Sequence, residues 1–425
     1  MKDIQNLQAF LDSAHSVYHA VAALADTLEQ AGYTRLSETE NYDLSAGGKY
    51  YIVRGGSALI AFRVPTGAPK GFLISAGHAD RPCFKVKENG VLSGAYNRLA
   101  VERYGGMLIA PWLDRPLSVA GRVTVETEEG VATRLVDFDR DLLLIPNVAI
   151  HMNRAANDGY KWNPATDTIP LLGGEDKDKF MAELEKLAGG KVLGHDLYLY
   201  VRQKSAVWGM DGEYISAQAL DDLECVWGCA QGFLQAQHTD NIPVLCVFDS
   251  EEVGSSSYQG AASDFLQSTL SRVCQNLGLE EKPQLARSFM VSADNAHALH
   301  PNHPELADPA NAPVMNKGVV LKFNANQKYT TDGVSAAIFR KICQKAGVPV
   351  QTYCNRADIP GGSTLGNISL SQVAVPSVDI GLPQLAMHSC YETAGVQDAK
   401  YLVDAMRAYF GISLETATDG SICVK

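Results

Sequence analysis

Apolar residues between positions 5 and 31 recur at the spacing of one helical face. Leu7, Phe10, Leu11, Val17, Val21, Leu24 and Leu28 predict helical structure across that span. Strand-like runs follow at 50–53 and 57–62, then an apolar strand at 71–77 that ends at His78. From about residue 90 to 215 short alternating runs such as 118–125 dominate, with frequent turn residues between them. Within that region the polar stretch 173–179 reads as an exposed loop or a helix start, and the region closes on the apolar run 197–201. After about 215 the rhythm changes again. Helices are predicted near 217–236, 260–276, 333–346 and 396–410, and strands at 242–248, 288–293, 349–353 and 373–380. Strands alternating with helices predict a mixed, mostly parallel sheet between two helical layers, a three-layer α/β/α fold. On this reading residues 1–92 and 215–425 form one domain, and residues 93–214 are a β-rich insertion into it.

Composition narrows the functional classes. The chain has 425 residues, 46% of them hydrophobic, enough for a large buried core. Its formal net charge of −12 and its pI near 5.3 argue against nucleic acid and anionic membrane surfaces, both of which reward basic patches. No apolar run approaches the roughly 18 residues of a membrane span, and no secretory leader stands at the N-terminus. Nine cysteines are scattered without a disulfide framework, which points to a reducing cytoplasm and buried free thiols. Cys225 and Cys229 stand one helical turn apart and read more simply as core residues than as a metal or redox pair.

The chemistry-bearing residues gather at predicted strand ends. His78 and Asp80 follow the strand at 71–77. Glu251 and Glu252 follow the strand at 242–248, in Phe248-Asp249-Ser250-Glu251-Glu252-Val253-Gly254. Asp294 follows the strand at 288–293, His388 lies beyond the strand at 373–380, and Asp221 stands near a helix start. In an open α/β sheet the carboxyl ends of parallel strands share one edge, so groups far apart in sequence can converge. Two imidazoles and three carboxylates suit a pair of zinc-like ions with one carboxylate shared. Such ions acidify water. A second, non-ligating glutamate could take the proton and return it to a leaving amine. Singly, each residue has a plainer role: an ordinary His-x-Asp polar pair, a solvated Glu-Glu, a helix-capping Asp294. The weight lies in their shared placement. His297, His300 and His303 resemble a further metal cluster, but Pro301 and Pro304 break any common helical face. There is no nucleophile elbow, phosphate loop, His-Glu-x-x-His or dinucleotide fingerprint, and Gly361–Thr364 reads as a tight connection.

Several blocks resemble the aspartyl aminopeptidase family. Ser75-Ala76-Gly77-His78-Ala79-Asp80-Arg81-Pro82 is similar to its first metal motif. Further blocks follow in the family's order at Trp112–Val123, Ile145–Met152, Phe248–Gly260, Asp294–Pro301 and Pro383–Ser389. The resemblance spans nearly the whole chain. It implies an exopeptidase with two divalent ions, most often Zn2+, with Mn2+ or Co2+ as alternatives. By position, His78, Asp221 and Glu252 would hold one ion, and Asp221, Asp294 and His388 the other. Glu251 would be the general base and acid, and Asp80 would orient His78. His151, His297, Lys322 and Tyr329 would surround the substrate, with Lys322 a partner for an acidic side chain. The family pattern commonly reads Leu-Asp-Asn where this chain has Leu220-Asp221-Asp222, which leaves the role of Asp222 open. The resemblance also implies self-association through the insertion into a homododecamer, with His151 entering a neighbour's site. The expected activity is removal of N-terminal Asp or Glu from short peptides. The alternatives are a broad or neutral-residue aminopeptidase and a non-catalytic oligomeric shell or cargo protein.

Overall fold

The computed structural model describes residues 2–237, 239–416 and 422–425. Its centre is a nine-stranded sheet in the order Thr34–Leu36, Lys49–Arg54, Ala58–Arg63, Ile242–Phe248, Phe72–His78, Phe289–Ala293, Ser377–Gly381, Val319–Phe323 and Val350–Cys354. The four neighbours from Ile242–Phe248 to Ser377–Gly381 run parallel, and antiparallel pairs occur toward both sides. These middle strands are buried along their whole length, as continuous Val/Ile/Leu/Ala-rich runs covered on both faces must be. The helices Val17–Gln30, Leu220–Gln235, Gly333–Ala346 and Val396–Phe410 contribute to the core on one side, and Phe265–Asn276 to that on the other. The fold is therefore the expected three-layer α/β/α arrangement.

Helix Leu220–Gln235 lies close against Val396–Phe410 because two of its positions are glycine. A Cβ at Gly228 would meet Leu402 at 2.6 Å, and one at Gly232 would meet Met406 at 2.5 Å. This contact holds one of the helical layers together, and it fixes the helix whose first turn carries Asp221.

A second sheet is antiparallel throughout, in the order Arg98–Tyr104, Cys83–Leu92, Val192–Val201, Leu117–Thr127 and Gly130–Asp137. The strand Cys83–Leu92 leaves the central sheet's His78 edge and enters this β-rich unit directly. A third, five-stranded sheet joins Ala206–Trp208, Tyr214–Ala217, Glu392–Gly395, Pro383–Leu385 and Ala296–His297. It draws together segments that flank Asp221, His388 and Asp294.

Local differences from the sequence reading have physical causes. The helical span expected over 5–31 is divided into two helices, Lys2–Ser13 and Val17–Gln30, because Ser16 is extended (φ −147°, ψ 169°). The apolar period continues across the break, so periodicity alone does not register it. The strand Val319–Phe323 was not anticipated, and neither was the short hairpin of Leu414–Thr416 with Ile422–Val424. The nine cysteines are all free, seven of them buried. None of the helices among the described residues is long and apolar enough to cross a membrane.

Candidate metal centre

The central strands deliver the site. His78 is the last residue of Phe72–His78 and pairs in register with Phe248, so the turn at 249–254 emerges beside it. On the other side Phe289–Ala293 runs parallel to Phe72–His78 and ends at Asp294. Asp221 opens the helix Leu220–Gln235, with non-helical φ/ψ at Asp221 and Asp222. His388 arrives from a loop bent by left-handed backbone at Ala386 (φ 57°) and at His388 itself (φ 67°).

These residues converge. His78 Nε2 lies 3.3 Å from Asp221 Oδ1, while His388 Nε2 lies 3.5 Å from Asp221 Oδ2 and 3.4 Å from Glu252 Oε2. Ligating atoms fall into three compact groups: His78–Asp221–Asp294, Asp221–Glu252–His388 and His78–Glu251–Glu252. Asp221 belongs to two of them, as expected of a shared carboxylate. The two groups that share Asp221 place Glu252 with His388 and Asp294 with His78, while the third also keeps Glu252 beside His78. Strand neighbours alone leave this choice open, since His78 lies between the strands carrying Glu252 and Asp294. The bent loop at 386–388 brings His388 beside Glu252.

The donor set fits a divalent ion. Asp221 Oδ1 and Glu252 Oε1 are buried without a hydrogen-bond partner. Buried carboxylate oxygens left this way are costly unless a cation occupies them. Two hard carboxylates with an imidazole in each of the two groups sharing Asp221 are zinc-type ligands.

Asp80 organises the surroundings. Its main-chain oxygen lies 3.1 Å from His78 Nδ1, leaving Nε2 toward Asp221. Its carboxylate accepts from the main-chain N–H of Glu251 (3.0 Å) and of Glu252 (3.1 Å), and from the Tyr104 hydroxyl (2.7 Å). Asp80 therefore positions the glutamate turn as well as the histidine. The turn also requires left-handed backbone at Ser250 (φ 64°) and Gly254 (φ 97°). Tyr104 comes from the β-rich unit, so that unit helps to shape the site.

The electrostatics follow from burial. Lost hydration pushes the Glu251 carboxyl up to about 8, with His78 opposing and the nearby Asp294 and Asp80 adding to the rise. Burial also pushes Asp294 up to about 6, against the pull of Lys322. At Asp221 burial acts upward, but hydrogen bonds from His388 and His78 win and hold its carboxyl below the usual range. Burial lowers the two imidazoles, yet the carboxylates around them prevail and both are raised.

The four residues expected around the substrate are placed differently from one another. Lys322 is 2% exposed, and its Nζ donates to the main-chain oxygens of Asp294 (2.7 Å) and Asn295 (3.2 Å). Two of its three donors are thus committed to holding the Asp294 segment. One donor is left over for an acidic side chain of a substrate. Tyr329 is also buried, with its ring 5.1 Å from Lys322 Nζ. His297 is exposed three residues beyond Asp294, and its ring meets that of Tyr353 edge-on. His151 lies exposed on the loop at 147–153, among the exposed Val148, Ile150 and Met152. No hydrogen bond joins His151 to the metal-type groups among the described residues.

Beside the centre opens a cavity of about 300 Å³ that includes His297, Gln384 and Ala386. His300, His303 and Arg356 also line it, and no aspartate or glutamate does. His300 and His303 join none of the metal-type groups among the described residues. Cys225 and Cys229 are core residues, with Cys225 Sγ donating to Asn295 Oδ1 (2.8 Å). Asp294 is followed by the two-residue strand Ala296–His297, so it caps no helix.

Glu392 escaped the sequence reading: it carries no motif, and only its hydrogen bonds connect it to the site. The roles of Tyr104 and Asp222 become visible only through their contacts, that of Tyr104 through its bond to Asp80. Asp222 is fully buried and accepts from the main-chain N–H of His78 (3.2 Å), which gives it a place behind that ligand.

A parallel-sheet edge bearing a shared carboxylate, two imidazoles and a spare half-buried glutamate defines a metallohydrolase of the α/β/α class. Residues 10–410 match the family described as Aminopeptidase I zinc metalloprotease (M18). Probable M18 family aminopeptidase 2 of Clostridium acetobutylicum is 40% identical, over 95% of this chain and 97% of its own. The protein of the same name in Pseudomonas paraeruginosa is 41% identical, over 96% and 98%. Among solved structures, Ape4 in the Ape4 and Nbr1 complex superposes with a TM-score of 0.92 at 34% identity, covering 96% of this chain and 85% of that one. The S. cerevesiae mApe1 dodecamer gives 0.84 at 27%, covering 96% and 95%. The chain belongs to the M18 family and is a metalloaminopeptidase.

Proposed function

We propose that this enzyme uses two divalent ions, most simply Zn2+, to remove one N-terminal residue from short peptides, with a preference for Asp or Glu. The carrying observation is the pair of ligand groups that share Asp221, with Glu251 against His78. His78, Asp221 and Asp294 would hold one ion, and Asp221, Glu252 and His388 the other. Bound there, the ions would supply Lewis acidity toward the scissile carbonyl and lower the pKa of water. Glu251 takes a proton from the attacking water and passes it to the leaving amine. A carboxyl that is easily protonated near neutral pH suits both transfers. Asp80 keeps Glu251 and His78 in register. Acidic groups around the centre hold the substrate's free α-amine, which limits attack to the first peptide bond.

The acidic preference rests on the neighbouring cavity, which Arg356 and three histidines line with no aspartate or glutamate among the lining residues, although Asp358 already pairs with Arg356 (2.8 Å) and Glu305 with His303 (3.0 Å). Leu299, Leu306, Ile359 and Leu385 line the same cavity and favour the second reading, a neutral-residue aminopeptidase. Chromogenic amides of Asp, Glu and Leu separate the two. We expect kcat/KM to be highest for Asp or Glu. A Leu optimum would establish the second reading, and failure on every amide at full metal occupancy would leave a non-catalytic shell.

Self-association through the β-rich insertion into a dodecamer belongs to the same proposal, with His151 reaching a neighbouring subunit. The exposed apolar side chains around His151 support it, as does the dodecamer formed by mApe1. Light scattering in solution gives the subunit count. The proposed compartment is the cytoplasm, consistent with nine free thiols.

A further inference from the structure

Glu392 is 2% exposed, in the third sheet, and its carboxylate makes two hydrogen bonds to main chain. Oε2 accepts from the N–H of Asp221 (3.1 Å), and Oε1 accepts from the N–H of His388 (2.7 Å). One side chain therefore ties together the backbones of two residues 167 positions apart in sequence, Asp221 and His388, whose side chains lie 3.5 Å from each other.

The framework around it explains why this residue can set a distance. Glu392 begins the strand Glu392–Gly395, which lies between Tyr214–Ala217 and Pro383–Leu385. Ala217 pairs with Glu392 itself, four residues before Asp221. Leu385 pairs with Thr393, three residues before His388. The segments that carry Asp221 and His388 thus leave opposite neighbours of one strand, and Glu392 closes the gap between them. The loop bearing His388 has left-handed backbone at two non-glycine residues, so it needs an external hold. The other group is secured by different means. His78 is held by Asp80 and Asp222, and the Asp294 segment by Lys322.

We propose that Glu392 is a positioning residue for the Asp221–Glu252–His388 group, and that this group's metal affinity depends on it far more than the affinity of His78–Asp221–Asp294 does. The inference rests on the two-ion reading above. A carboxylate offers an acceptor oxygen to each N–H, whereas a glutamine amide offers one oxygen and turns its NH2 toward the other N–H. Glu392→Gln preserves shape and breaks one of the two ties.

The test is titration of the metal-stripped enzyme with Zn2+ alone, followed by calorimetry and by competition with a chromophoric chelator. We expect two binding events in the wild type. In E392Q one affinity should fall by about 10- to 100-fold, the usual cost of disturbing the groups that orient ligands, while the other moves much less. In a His388→Ala background E392Q should add little to the loss. Fewer than two events in the wild type overturns the two-ion reading itself. Two events with unchanged affinities in E392Q, or with both reduced equally, overturns the positioning role and leaves that reading intact. Far-UV circular dichroism checks folding. If the glutamine variant does not fold, Glu392→Asp, which retracts the carboxylate by one methylene, is judged by the same comparison.

Discussion

At the residue scale the division of labour between two adjacent glutamates is the central point. Glu252 lies with its carboxylate 3.4 Å from His388, and Glu251 lies next to it with a carboxyl pushed up to about 8 by burial. Side chains of the same type thus meet different environments one residue apart. Glu251→Gln keeps the shape and removes the proton acceptor. Metal content should stay at the wild-type level while kcat falls by about 100-fold or more. Metal analysis and turnover on one preparation check this, and loss of metal instead would exchange the roles of the two glutamates. Both the pair and its place after an apolar strand are visible in the sequence. The Asp80 contacts that separate the two roles are not, because they cross 171 residues of chain.

At the element scale strand ends and helix starts set the geometry. Gly381 ends the strand Ser377–Gly381 where the backbone of Asp294 runs parallel against it, and a Cβ there would meet Asp294 O at 2.2 Å. Gly381→Ala must push the Asp294 segment away, because the neighbouring atom is main chain. Metal binding by the His78–Asp221–Asp294 group should weaken by at least tenfold, read by the same Zn2+ titration. The helix Gly333–Ala346 begins with a capping box, in which the Asp332 side chain accepts from Ser335 N at 2.7 Å and Ser335 Oγ accepts from Asp332 N at 3.0 Å. Asp332→Ala should cost about 1 kcal/mol of stability and leave kcat/KM unchanged. A shift of the urea midpoint at constant slope, with unaltered amide hydrolysis, is the expected pair of results. The helix itself was legible from its period. The site's dependence on Gly381 was not, since a lone glycine after an apolar run looks like any turn.

At the scale of the whole molecule the many buried carboxyls make stability depend on pH and metal together. Burial raises Glu224 and Glu251 to about 8, Asp398 to about 7, and Asp249 and Asp294 to about 6. Unfolded carboxyls ionise near 4, so from there to about 8 the metal-free fold holds protons that the unfolded chain has lost. Its stability must fall as pH rises through that window and level off above it. His78 and His388, both raised, act in the same direction. Asp221, Asp137 and Asp196 are lowered and act oppositely, but below the window. Metal replaces protons at the centre and binds more tightly as they leave. The melting temperature of stripped protein should therefore drop between pH 5 and 8, and the rise produced by added Zn2+ should widen over the same range. A metal-induced rise independent of pH would contradict this account.

By itself the sequence determined the alternation of strand and helix and the residues at strand ends that could carry chemistry. These are local properties, written in apolar period and turn residues within a few positions of one another. Only the tertiary structure decided which carboxylate shares which imidazole, that Lys322 is buried beneath Asp294, and that Glu392 joins Asp221 to His388. Those outcomes depend on the order of strands in a sheet and on the direction in which a bent loop leaves it, and both are set by packing among segments hundreds of residues apart.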